Sequence, residues 1–205
     1  MAISNGYTDL KTYKQRFYDA EHQNDEKDDA AIESVITAVS RAIDDITWRR
    51  FYAATETRYY TAQHSDYLKI DDLLTVTTLK TDHNSDRTYE YTWQTTDYDL
   101  MPYNASTDGH PYTWIETTPD GDYWFPKGAK KGVEIAGSFG FAATTPPAIE
   151  EACLLAAHRY MKRQSTPLGV SANVNLGQVN IIIKSLAADP DIMALLTPYI
   201  KRSYG

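Results

Sequence analysis

DDAAIESVITAVSRAIDDITWRRFY, residues 28–52, is the stretch on which the fold turns. Its apolar residues Ile32, Val35, Ile36, Val39, Ala42, Ile43 and Ile46 return every three or four positions without a slip. At 3.6 residues per turn they form one continuous stripe along a helix. Glu33, Ser34, Thr37, Arg41, Asp44 and Asp45 fall on the polar side. Asp28 or Asp29 can accept hydrogen bonds from the unpaired amides of the first turn, and Arg49 and Arg50 suit the negative end. Such a helix is roughly 30 Å long at 1.5 Å per residue. A one-sided stripe of that length has to be covered by other helices.

Outward from it, residues 8–18 read as a first short helix, with Thr8 as N-cap and Leu10, Tyr13 and Phe17 as its apolar edge. The polar run EHQNDEKDD (21–29) reads as a connector. Far along the chain, Pro146 and Pro147 signal another helix start. The run AIEEACLLAAHRYMKRQ (148–164) places Ile149, Ala152, Cys153, Ala156, Tyr160 and Met161 on one face. Its small residues allow close approach to the 28–50 helix. Residues 165–188 read as a loop or hairpin. Asp189 as N-cap and Pro190 at the first helical position open a last helix, with Ile192, Leu195, Leu196 and Tyr199 as its stripe and Pro198 near its end.

Between the second and third long helices the pattern changes. ETRYY (56–60), YLKI (67–70), LTVTTLK (74–80), TYEYTW (88–93), YDLM (98–101), YTWIET (112–117) and GVEIAGSFGF (132–141) read as strands separated by Asp- and Gly-containing breaks. In TYEYTW the alternation puts Tyr89, Tyr91 and Trp93 on one face. The expected class is therefore α+β: a bundle of about four helices, residues 1–55 and 142–205, with an antiparallel β-rich insertion at 56–141. Trp48 lies off the stripe, on the polar side, and requires a cover from the insertion or from another subunit.

Composition excludes several classes. A net charge of −8 over 205 residues argues against a dedicated nucleic-acid-binding surface, which needs clustered Lys and Arg. The single Cys153 rules out an intramolecular disulfide and sits in an apolar helix, as an inert buried thiol does. No apolar run reaches the ~20 residues of a membrane span, and residues 1–11 carry no signal-peptide pattern. A 42% hydrophobic content is enough for a core.

No phosphate-binding loop, zinc-protease motif or nucleophile elbow is present, so neither an enzyme, a cofactor nor a metal is expected. The five His are scattered (His22, His64, His83, His110, His158). Asp97 and Asp99 could face one way on a strand as a hydrolase pair, without further support. Sixteen Tyr and four Trp are a stronger signal, because aromatic residues not used in a core mark binding surfaces.

Four stretches together resemble the head–tail connector (head completion, or adaptor) proteins of tailed bacteriophages. They are YTDLKTYKQRF (7–17), the long helix running into TWRRFY and ETRYY, the helix PPAIEEACLLAAHRYMKR after FGFAATTPP, and the closing DPDIMALLTPYIKR. Trp48 stands where that family carries a small residue before the Arg pair. The resemblance implies a structural virion protein of the neck, between capsid and tail, assembled in the host cytoplasm. It implies a homo-oligomeric ring of twelve subunits that joins the portal protein to the next head-completion or tail ring and lines a channel for double-stranded DNA, without sequence-specific contact and without a membrane. It also implies a portal-binding C-terminal segment, with Ile192, Leu195, Leu196, Tyr199 and Ile200 as apolar contacts and Lys201 and Arg202 as charge anchors. That last helix could instead pack on its own bundle.

A closed ring needs two different complementary faces on each subunit. The candidates are Arg41, Trp48, Arg49 and Arg50 on one side, and the acidic run ending in Asp28 and Asp29 on the other. The competing reading is an aromatic-rich carbohydrate- or protein-binding module of a phage tail, carried by Trp93 or Trp114.

Overall fold

The computed structural model describes residues 5–164, 172–175, 178–181 and 189–201. Its order is α1 (Leu10–Phe17), α2 (Asp29–Thr47), β1 (Ala54–Tyr60), β2 (Tyr67–Thr81), β3 (Tyr91–Thr92), β4 (Tyr98–Met101), β5 (Tyr112–Thr117), β6 (Val133–Phe139), α3 (Pro147–Gln164), β7 (Ala172–Asn175), β8 (Gln178–Ile181) and α4 (Pro190–Leu196). The class is α+β, as expected. The chain divides into two compact units, Met1–Arg49 with Thr145–Gly205, and Arg50–Thr144.

In the helical unit the α2 stripe is the core. Ile32, Val35, Ile36, Val39 and Ile43 are buried, with Ala42 and Ile46 half-buried. Ser40 and Thr47 join the buried face although polar, because each hydroxyl donates back to the carbonyl one turn earlier, Ser40 to Ile36 at 2.7 Å and Thr47 to Ile43 at 2.8 Å. The Tyr7 amide donates to the Ser40 hydroxyl at 3.1 Å, so the N-terminal segment is tied to α2. From α3 come Ile149, Ala152, Cys153, Leu154, Ala156 and Ala157, all buried, and α3 packs on α2. The small side chains permit the close approach that their spacing predicts. Tyr160 does not share that face; it is exposed, and Ala157, one turn after Cys153, takes the inner position.

Helix α1 begins one residue later than expected. Asp9, not Thr8, is its N-cap and accepts from the Thr12 amide at 2.7 Å. Lys14 is buried, pairs with Asp29 and donates to the Asp25 carbonyl at 2.7 Å. One cation thus pins the polar connector to the start of α2. Arg16 reaches Glu151 of α3 at 2.7 Å. At the other end Asp189 caps α4, accepting from the Asp191 amide at 3.2 Å, and pairs with Arg159 of α3. Pro198 falls in a single 3-10 turn, Thr197–Tyr199, that ends the helix. Antiparallel β7 and β8 form a hairpin in the stretch read as loop or hairpin. The remainder of 165–188 lies outside the described residues.

The β unit is one antiparallel sheet in the order β1-β6-β2-β5-β4, with β3 paired to the end of β2. Two strands were expected at 67–70 and 74–80; they are one strand of 15 residues. A register shift between Lys69 and Leu73 leaves Asp72 and Leu73 both buried, the mark of a bulge that turns the strand. Its first half pairs with β5 and its second with β6. TYEYTW does not alternate as read. Only Tyr91–Thr92 is strand, Tyr89 has φ +53, and Trp93 is buried while Tyr91 is exposed. The cause lies upstream: the Asp82 carboxylate accepts from the amides of Asn84, Ser85 and Arg87 at 3.1, 2.7 and 2.6 Å, which coils the chain.

Leu68, Ile70, Leu73, Leu79, Trp93, Ile115, Phe125, Val133, Ile135 and Phe139 make this unit's core. Gly137 is obligatory there, since a Cβ would lie 2.2 Å from the Thr75 carbonyl oxygen of β2. Gly140, at φ +145, follows β6 where a Cβ would lie 2.2 Å from the Tyr52 carbonyl oxygen.

Candidate assembly surfaces

The C-terminal residues divide by burial. Ile192 and Leu196 are buried, and α4 packs on α3, so these two complete the helical core. Leu195, Tyr199, Ile200 and Lys201 are half-buried. The Lys201 amide donates to the Thr47 carbonyl at 2.8 Å, which brings Lys201 to the end of α2. Arg202 lies outside the described residues.

Most of the charged interface candidates are engaged inside their own unit. Arg41 donates to the Asn5 carbonyl at 2.9 Å, pairs with Asp44 at 3.3 Å and lies over the Tyr7 ring at 5.6 Å. Arg50 donates to Glu56 at 2.6 Å and to the Phe139 carbonyl at 3.1 Å, with its guanidinium 4.9 Å from the Tyr52 ring centre. These are links of the β unit. Glu56 also accepts from the Arg58 Nε at 2.8 Å, and the Arg50 bond, with help from Arg58, holds its carboxyl below the usual range. Asp29 is held by Lys14, Arg49 is half-buried, and Asp28 is exposed at the start of α2.

Trp48 stands apart. It ends α2 in the left-handed conformation, φ 55 and ψ 32, with its amide donating to the Asp44 carbonyl at 2.8 Å. Its side chain is 78% exposed. In this backbone conformation glycine, without a Cβ, sits unstrained, whereas another L-residue pays roughly 1–2 kcal/mol. The sequence carried one signal of this, a Trp two residues after the last stripe position and on the polar side.

Asp97 is buried and accepts from the amides of Gln94 at 2.6 Å and Asp122 at 3.3 Å, which makes it a turn carboxylate. Asp99 accepts from the Tyr103 hydroxyl at 3.2 Å. Trp93 belongs to the core, stacked on Phe125 at 4.7 Å, and Trp114 is half-buried with its indole donating to Glu116 at 2.8 Å. The buried Trp93 offers no open ring face of the kind a sugar platform needs. The exposed aromatics of the β unit are others: Tyr59, Tyr91, Tyr103 and Trp124, of which Tyr91 and Trp124 have His83 edge-on to them at 4.9 and 5.3 Å.

Asp82, Asp86 and Glu90 bring one carboxylate oxygen each within 4.8 Å of the others, a grouping the sequence reading missed although every member falls within nine residues. Asp82 is already committed to three backbone amides. Burial pushes the Cys153 thiol up to about 11, consistent with an inert core cysteine. His158 stacks on Phe17 at 3.9 Å with Nδ1 3.3 Å from the Tyr13 hydroxyl; burial, and then the Lys162 charge, lower its basicity. Among the described residues no helix is long and apolar enough to cross a membrane.

No protein-family model and no curated protein matches the chain. Solved structures do. The chain is similar to a protein in the neck of an empty GTA particle computed with C6 symmetry, with TM-score 0.62, 20% identity, and coverage of 100% of this chain and 96% of that one. It is similar to a protein in the neck of the native GTA particle computed with C12 symmetry, with TM-score 0.60, 20% identity and the same coverage. A third match, in the virion of the native gene transfer agent (GTA) particle, has TM-score 0.61 and 21% identity, again over 100% and 96%. The fold is therefore shared from end to end, β insertion included.

Proposed function

We propose that this protein is a structural component of the neck of a phage-like virion. Twelve copies form a ring that joins the portal to the next head-completion or tail ring and surrounds the DNA channel. The observation that carries the reading is the end-to-end likeness: all of this chain and 96% of a neck protein superimpose in fold, so the likeness is not confined to a common helical pair. The necks in question were computed with C6 and C12 symmetry, which supports copies arranged around an axis. The acidic balance suits a channel wall that must let phosphate-rich DNA slide, since strong counter-charge would hold it.

In this reading the C-terminal segment meets the portal through what its own core leaves over. Ile192 and Leu196 set the segment in place, and Leu195, Tyr199, Ile200 and Lys201 present the contact, with Arg202 following. Light scattering behind size exclusion, with and without a ring of the cognate portal, tests this. Ring-sized species, or a chain that joins the portal only while residues 189–205 are present, support it. A monomer indifferent to the portal refutes it. In that event the exposed Tyr91 and Trp124, with the half-buried His83 between them, favour the aromatic binding module instead.

A further inference from the structure

We infer that the β7–β8 hairpin is a joint between copies of this chain: the free edge of β8 in one copy pairs with the free edge of β7 in the next, and the ring closes through a collar of antiparallel strands. This rests on the ring reading above. The two strands form a sheet of their own, paired with each other and with no further strand among the described residues. A lone two-stranded ribbon is marginal in water, and added strands are what make it stable. Each outer edge also presents a row of unpaired amides and carbonyls, a template for another strand.

Charge and register both point to a second copy as the occupant. Between Arg163 and Lys184 no residue is charged, the longest such run in a chain whose net charge is −8. Copies that repel one another elsewhere meet here without that cost, and the charged residues that normally blunt a strand edge are absent. In the register, Ala172 pairs with Ile181 and Val174 with Val179, while Asn173 pairs with Asn180 and Asn175 with Gln178. Alternation therefore puts the apolar positions on one face of the hairpin and the carboxamide positions on the other. A neighbouring hairpin added at either edge continues both faces, like beside like, and a one-residue slip would oppose them.

The two free edges belong to different strands, so joining them is head-to-tail, and repeating the joint around an axis closes a ring. A two-fold pair would instead set β7 on β7 or β8 on β8. Two strands from each of twelve copies, at about 4.8 Å spacing, give a collar about 115 Å around and about 37 Å across before tilt, room enough for a DNA duplex.

Crosslinking through introduced cysteines tests the joint, because the natural Cys153 is buried. Two full-length variants, Asn173→Cys on β7 and Asn180→Cys on β8, are mixed in equal amounts and assembled, alone and on a ring of the cognate portal. A bismaleimide of about 8 Å reach then spans direct and diagonal neighbours on one face. About one junction in four should link the two variants, and the links should be lost when either variant is assembled by itself. Links within a single variant place like strand against like and overturn the collar. Rings that form normally and leave the mixture unlinked also overturn it, and leave the ring reading standing. Should the cysteine variants not assemble, hydrogen exchange on wild type decides. Amides of 172–175 and 178–181 protected in the ring but not in the dissociated chain uphold the joint, and unchanged exchange overturns it. A wild type that forms no ring, alone or on the portal, removes the ring reading, and this inference with it.

Discussion

The two units of this chain are built by opposite means. The helical unit takes its core from four helices whose apolar residues repeat every three or four positions, with Ala and Cys on α3 to let α2 approach. Its polar links, Lys14 to Asp29, Arg16 to Glu151 and Arg159 to Asp189, tie helix ends and connectors rather than filling the middle. The β unit relies on aromatic bulk and on one long bulged strand that belongs to two pairings at once. Two of its glycines, Gly137 and Gly140, sit at points of backbone contact. A unit of the first kind tolerates gradual loss of packing, whereas one of the second kind fails at particular positions.

The sharpest break of that contrast is Gly137→Val. With a Cβ 2.2 Å from the Thr75 carbonyl oxygen, β2 and β6 cannot both keep their places, and a loss of about 3 kcal/mol or more follows. Three of the four tryptophans lie in the β unit, so denaturation followed by fluorescence reads this directly; an unchanged midpoint would refute the close approach. In the helical unit, Ile36→Ala empties a fully buried site on the α2 stripe. A cost of 2–5 kcal/mol, followed by circular dichroism of the helices, is the expected range.

Asp189→Ala should cost less, about 1 kcal/mol for the lost cap and somewhat more for the Arg159 partner left behind. Limited proteolysis should then cut around residue 189 before it cuts α2 or α3. A smaller effect concerns pH. His158 is harder to protonate folded than unfolded, so the unfolded chain binds the proton first as pH falls. The helical unit should lose stability as pH drops through the ordinary histidine value of 6.5 and on through the lowered folded value, with the full contribution present above that window. Replacing His158 by Gln should flatten this part of the pH–stability curve, and a curve of unchanged slope would exclude His158 as its source.

Legibility followed the same divide. The stripe on α2, the small face of α3 and the Asp-Pro start of α4 could be read in the sequence, because each depends on residues within a turn or two of one another. Tyr160 was misplaced onto the inner face since periodicity alone does not distinguish neighbouring positions at the edge of a stripe. In the β unit the presence of strands was readable, but the fusion of 67–70 with 74–80 and the coil that breaks 88–93 were not. Both arise from partners chosen elsewhere, β5 and β6 in one case and the Asp82 carboxylate in the other. Among the assembly candidates, sequence named Trp48 as a residue in need of a cover but could not see that Arg41 and Arg50 had partners at home.

What the sequence determined by itself was therefore the α+β class, the helical start signals and the stripe that demands a bundle, since local spacing and propensity suffice for them. Only the tertiary structure decided which cations are spent inside their own unit, which glycine must stay a glycine, and that a tryptophan in a left-handed turn is left in water. Those outcomes depend on what residues distant in the chain bring to the same place, and no local pattern carries that information.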